Sequence, residues 1–298
     1  MAGKPVRERW PMRKLLKVGL RRLVAGSDET ETTARAPGGR RAAVIAIAAQ
    51  KGGVGKTTTA ASLATALARF HHKRVLLLDL DPQGHVAVTL KSIMPERGPS
   101  LAQVLQDEGP SEIMDAAVAA GLEGLDVTAY DPALAATEEL LGARIGKELV
   151  LRNKLAFTRT HYDVIVIDCP PNQGNLALNA LVAADWVIIP CDPSPLAVKG
   201  VTALAMTVST VAARLNPDMD LLGVLLTRVD RRNTALHDAM MRDIEAAFGE
   251  VVLPVSIGIS SSLPRAQHAG RDIFDFDAAS RAAGQYRQLA EHILTVIR

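Results

Sequence analysis

Residues 50–59 read QKGGVGKTTT, and the types and spacing in this decamer suit the capture of a polyphosphate. Closing a backbone around phosphate oxygens takes glycine, which Gly52, Gly53 and Gly55 supply around Val54. Lys56 reaches the terminal phosphates, Thr57 offers a hydroxyl to magnesium, and Thr58 follows it. The run before the decamer, AVIAIAA over 43–49, is short, apolar and β-rich, while residues 58–70 are rich in alanine and leucine at helical spacing. Strand, glycine loop and helix in that order aim the N-terminus of the helix at an anion.

The loop departs from the common G-x-x-x-x-G-K-[ST] pattern, because Gln50 stands where the first glycine belongs and a second lysine, Lys51, follows it. This K-G-G-V-G-K-T-T form resembles the deviant Walker A motif of the ParA/MinD family of dimerising ATPases. The resemblance implies a P-loop fold, ATP and Mg²⁺ as cofactors, and a role for Lys51 at the nucleotide of a partner subunit.

Two carboxylate-bearing segments agree with it. RVLLLDL at 74–80 is a buried-strand pattern running into D-L-D-P-Q-G, which sets Asp79 and Asp81 at a carboxyl end, where open α/β sheets bind ligands. A second apolar strand, 164–167, ends in Asp168 within V-I-V-I-D-C-P-P. By resemblance Asp81 positions or polarises the attacking water, Asp79 lies near the magnesium shell, and Asp168 is the Walker B residue that holds magnesium through water. The stretch DCPPNQG, 168–174, is by the same resemblance a γ-phosphate-sensing switch. Lys51, Lys56 and Asp81 are thus the expected catalytic set, and Thr57, Asp79 and Asp168 the expected metal set.

Further matches run in the family's order through NALVAAD (179–185), a strand at 186–190, DPSPLAVKG (192–200) and LLGVLLTRVD (221–230), so the resemblance covers roughly 42–298. Alternating strands and helices from Ala42 onward predict one α/β domain with a doubly wound, mostly parallel sheet flanked by helices. The chain has 298 residues, 48% of them hydrophobic, and no apolar run approaches 18 residues, which excludes a spanning helix. No signal peptide is visible, and Cys169 and Cys191 form no C-x-x-C pair, so reduced thiols in a cytoplasm are expected. The seven histidines show no ligand spacing, so magnesium carried by the nucleotide is the one metal expected.

Charge is more informative by segment. Residues 1–41 hold eleven Lys or Arg against four acids, a net of +7, so with +2 for the whole chain the remaining 257 residues carry −5. Within the basic part, Met12, Leu15, Leu16, Gly19, Leu20 and Leu23 follow helical spacing, with Arg13, Lys14, Lys17, Arg21 and Arg22 on the other faces. This N-terminal extension reads as a basic amphipathic helix and linker, suited to an anionic membrane, to DNA, to a partner, or to capping the protein's own apolar surface.

ParA-like proteins form an ATP sandwich dimer that binds duplex DNA without sequence preference, and an adaptor such as a ParB-like protein stimulates hydrolysis. The resemblance therefore implies a homodimer, nonspecific DNA, a stimulating adaptor, association with the nucleoid, and the positioning or segregation of a plasmid, chromosome region or protein cargo. Arg228, Arg231, Arg232, Arg242, Arg265 and Arg271 are the candidate phosphate contacts, since nonspecific affinity comes from phosphate neutralisation. Ser262 falls where family members often carry an arginine, which weakens a family-typical DNA grip. The rival is a MinD-like membrane-cycling regulator anchored by the N-terminal helix. The usual MinD anchor is C-terminal, and residues 286–298 carry too little positive charge to resemble it.

Overall fold

Strands covered on both faces read as continuous runs of Val, Ile and Leu, and the apolar runs of this chain become such strands. The computed structural model describes residues 41–230 and 235–297. Its strands are β1 (Ala43–Ile47), β2 (Val75–Asp79), β3 (Ala117–Ala119), β4 (Leu125–Thr128), β5 (Val164–Asp168), β6 (Trp186–Cys191) and β7 (Asp220–Leu226). They form one sheet in the order β3-β4-β2-β5-β1-β6-β7. Every neighbouring pair is parallel except β3 with β4, which closes one edge antiparallel. Both β2 and β5 are buried along their whole length. The N-terminal extension, residues 1–40 in particular, lies outside the described residues, as do Arg231 and Arg232.

The helices are α1 (Lys56–His71), α2 (His85–Thr89), α3 (Leu101–Gln106), α4 (Leu134–Gly142), α5 (Val150–Lys154), α6 (Asn175–Ala183), α7 (Ala197–Arg214), α8 (Ala235–Phe248), α9 (Ser262–His268), α10 (Ile273–Phe276) and α11 (Arg281–Val296). Helix α1 starts two residues before its expected bound, because Gly55 adopts φ 91° and turns the chain straight into Lys56. Threonine and alanine dominate it because it is buried on nearly every side, from Thr59 to Ala68. Small side chains let it sit close under its neighbours, while Leu63 and Leu67 fill the remaining space with no exposure. Helix α11 packs along α1 and buries Tyr286, Leu289 and Ile293 in the same core. Each large apolar side chain so buried contributes about 1.5–3 kcal/mol. The Tyr286 hydroxyl meets Thr59 Oγ1 at 3.4 Å, so the buried phenol is not left without a polar neighbour.

Sheet order decides where the chemistry falls. Strand β1 lies between β5 and β6, yet its helix α1 leads to β2 on the far side of β5, and the loop leaving β1 opens over the carboxyl ends of β5 and β2. Among the described residues no helix is long and apolar enough to cross a membrane.

Candidate nucleotide site

The loop between β1 and α1 is shaped for an anion. Gly53 and Gly55 take φ 75° and 91°, a region that L side chains rarely adopt. A Cβ at Gly52 or Gly53 would meet no heavy atom within 4 Å, so the cradle stands open above them. Helix α1 has no side-chain cap and no acid in its first turn. Its leading N–H groups and its dipole therefore face an anion without competition. Lys56 is buried at the head of this helix.

The loop is held from β7. Thr227 Oγ1 donates to the carbonyl of Val54 at 2.9 Å, and Arg228 Nη1 donates to that of Gly53 at 3.2 Å. Arg228 does so from a left-handed backbone, φ 53°, which is uncommon for a residue with a side chain. Thr227 was legible only as part of a family-like stretch, and its contact with a loop more than 170 residues away had no local signal.

Opposite the cradle, parallel register sets Asp79 directly beside Asp168 at the ends of β2 and β5. Asp79, Asp81 and Asp168 are all buried. The Asp79 oxygens accept the N–H groups of Asp81 at 2.9 Å and Val86 at 3.3 Å, so this carboxylate also holds the D-L-D-P-Q-G turn. Burial, the largest cause, and the Asp81 charge push its pKa up to about 7, against the backbone N–H groups that favour the ionised form. Asp168 is raised well above the carboxylate range by burial first and by Asp79 second; Thr57 and Lys56 oppose the rise. Both of its oxygens are nonetheless buried without a hydrogen-bond partner. Orphaned oxygens of this kind, beside the Thr57 hydroxyl and two further acids, fit a hard cation such as Mg²⁺, which prefers oxygen ligands and keeps several waters.

The second loop lysine points elsewhere. Lys51 Nζ binds Asp192 Oδ2 at 2.8 Å and Oδ1 at 3.1 Å, and its side chain remains half exposed. Lys51, expected at the nucleotide of a partner subunit, here meets Asp192 of its own chain, in the loop after β6.

The candidate DNA arginines divide. Arg265 and Arg271 lie over the ring of Phe276, at 5.5 and 5.8 Å, and Arg271 is paired with Asp275 at 2.7 Å. Arg242 is exposed on α8. Arg228 stands against the phosphate loop. The Ser262 hydroxyl donates to Asp277 at 2.7 Å. Cys169 and Cys191 are buried free thiols, both pushed upward by burial, Cys191 to about 12, and so unreactive.

Sheet, cradle and acids together define a P-loop nucleotide-binding protein of the α/β class. The family described as an AAA domain matches residues 42–221. The chain is 39% identical over 254 residues to the chromosome partitioning protein ParA of Caulobacter vibrioides, covering 85% of this chain and 94% of that one. It is 37% identical over 250 residues to the sporulation initiation inhibitor protein Soj of Bacillus subtilis, covering 84% and 97%. Cobyrinic acid a,c-diamide synthase from Mycobacterium smegmatis, solved with bound ADP and magnesium, superposes with a TM-score of 0.71 at 36% identity, covering 85% and 94%. The chain belongs to the ParA/MinD family of deviant Walker A ATPases, among its ParA (Soj-like) members.

Proposed function

We propose that this protein hydrolyses ATP with Mg²⁺ at the described site, and that the ATP-bound form is a homodimer that positions or segregates a DNA or protein cargo. The observation that carries the reading is the pairing of an open glycine cradle with the orphaned carboxylate of Asp168. Gly52, Gly53, Val54 and Gly55 surround the phosphates with N–H groups, Lys56 neutralises their charge, and Thr57 and Asp168 hold the cation. Asp79 supports that shell while fixing the turn that presents Asp81, and Asp81 orients the attacking water. Bound magnesium offsets phosphate charge, and the rest of the rate comes from positioning and electrostatics. Lys51, half exposed, is free to exchange Asp192 for the phosphates of a second subunit.

On this reading the dimer grips duplex DNA nonspecifically through arginines of the C-terminal third, and an adaptor of the ParB type accelerates hydrolysis and release. The relatives named as partitioning proteins support this part. The apolar face of α11 is spent on the core, which leaves that helix unsuited to anchoring the protein on a membrane. The deciding experiment is multi-angle light scattering with Mg²⁺ and either ATP or ADP, run beside a phosphate-release assay with and without duplex DNA. A dimer with ATP and a monomer with ADP are expected, with slow turnover. A monomer under both conditions would remove the dimer from the reading, and absence of phosphate release would remove the ATPase.

A further inference from the structure

We propose that Glu138 is a positioning residue for the 168–174 segment, setting where the residues after Asp168 stand relative to the terminal phosphate; this rests on the ATPase reading above. Helix α6 begins directly after that segment, and Gly174 at its start provides no side-chain cap. The orphan N–H groups of its first turn go instead to a carboxylate 37 residues upstream on α4. Glu138 Oε1 accepts the N–H of Asn175 at 2.5 Å and Oε2 that of Leu176 at 2.9 Å. Asn175 Nδ2 returns a bond to the Glu138 carbonyl at 2.9 Å. Charge-assisted bonds to N–H groups at the positive end of a helix are among the stronger polar contacts a protein makes.

Gly174 has an ordinary φ of −80°, so conformation does not demand glycine there. Proximity does, since a Cβ at Gly174 would collide with Glu138 Oε1. The base of α6 is fixed again by buried Asn179, which accepts the N–H of Leu151 at 3.0 Å and donates to the carbonyl of Lys147 at 2.7 Å. At the other end of the segment the Asp168 carbonyl accepts the N–H of Leu80, and the Cys169 N–H donates to Ile47. Between these anchors Pro171, Asn172 and Gln173 are exposed. A loop pinned at both ends with an exposed middle can respond to a terminal phosphate only as accurately as its pins hold it, and Glu138 is the downstream pin.

The test uses the full chain and the variants Glu138→Ala, Glu138→Gln and Gly174→Ala. Glu138→Ala should lower kcat by about tenfold to a hundredfold, as loss of positioning does, while leaving KM for ATP within about twofold. Gly174→Ala should reproduce this by displacing the carboxylate, and Glu138→Gln, which keeps one good acceptor, should fall between. Hydrogen exchange gives a second readout: residues 169–176 of the wild type should differ between ADP and a nonhydrolysable ATP analogue. In Glu138→Ala that difference should vanish while protection of 52–58 by nucleotide persists. Wild-type kcat in the variants, or a nucleotide response at 169–176 that survives them, would overturn the proposal, as would an equal loss in kcat and affinity. If Glu138→Ala fails to fold, the other two variants carry the same measurements. A wild type without turnover defeats the ATPase reading, and the exchange comparison still decides this one.

Discussion

Asp79 and Asp168 face each other in register at the ends of two adjacent parallel strands, both buried, with only Asp79 satisfied by backbone N–H groups. Two buried acids side by side resist ionisation together, and a cation held by them would remove the conflict.

Asp168→Asn is therefore expected to stabilise the ligand-free protein near pH 8 by about 1–3 kcal/mol while abolishing turnover. Thermal melts and phosphate release measured on one preparation check both halves. Equal melting of the variant and wild type near pH 8 would show that the buried pair carries no penalty.

The pH dependence has a definite sign. Asp79 is raised from the ordinary 3.8 to about 7 in the folded protein, so the native state holds its proton longer than the unfolded chain does. Stability from this group is complete below pH ~4 and is lost as pH rises towards pH ~7. Adding Mg²⁺ should raise the melting temperature more at pH 8 than at pH 5, and the reverse order would contradict the coupling.

The two lysines should separate cleanly. Lys56→Ala is expected to weaken ATP binding by about a hundredfold, since it removes a buried charge-assisted contact. Lys51→Ala should keep ATP binding and remain monomeric in light scattering, and a fully dimeric variant with normal turnover would exclude its role between subunits. Asp81→Ala should bind ATP and accumulate a long-lived dimer, because the water is no longer oriented.

Arginine variants should sort by place. Arg228→Ala is expected to raise KM for ATP several-fold by releasing the Gly53 carbonyl. Arg232→Glu and Arg242→Glu should weaken binding to all duplex sequences about equally and flatten its salt dependence. Arg271, already paired with Asp275, should matter less, which DNA-binding titrations at several salt concentrations would reveal.

The basic extension is tested by a truncation beginning at Arg40. It should still dimerise with ATP and hydrolyse it, while holding DNA more weakly and with a shallower salt slope. Pelleting of the full chain, but not the truncation, with anionic vesicles would favour the membrane-cycling alternative.

The phosphate loop, the strand-end acids and the parallel sheet were legible in the chain because each is a local pattern. Glycines admit a left-handed turn at Gly53 and Gly55, and a buried strand is a contiguous apolar run. Nothing local could announce that Asp79 and Asp168 stand side by side, because that pairing is a matter of register between strands 89 residues apart in sequence. The same holds for Lys51 on Asp192, Arg228 on Gly53 and Glu138 on Asn175. A side chain's type fixes which bonds it can make, whereas the crossing of distant segments decides which it does make. Arg228 shows the difference: its type fixes it as a donor to oxygen, and only the fold brings one of its nitrogens to the Gly53 carbonyl.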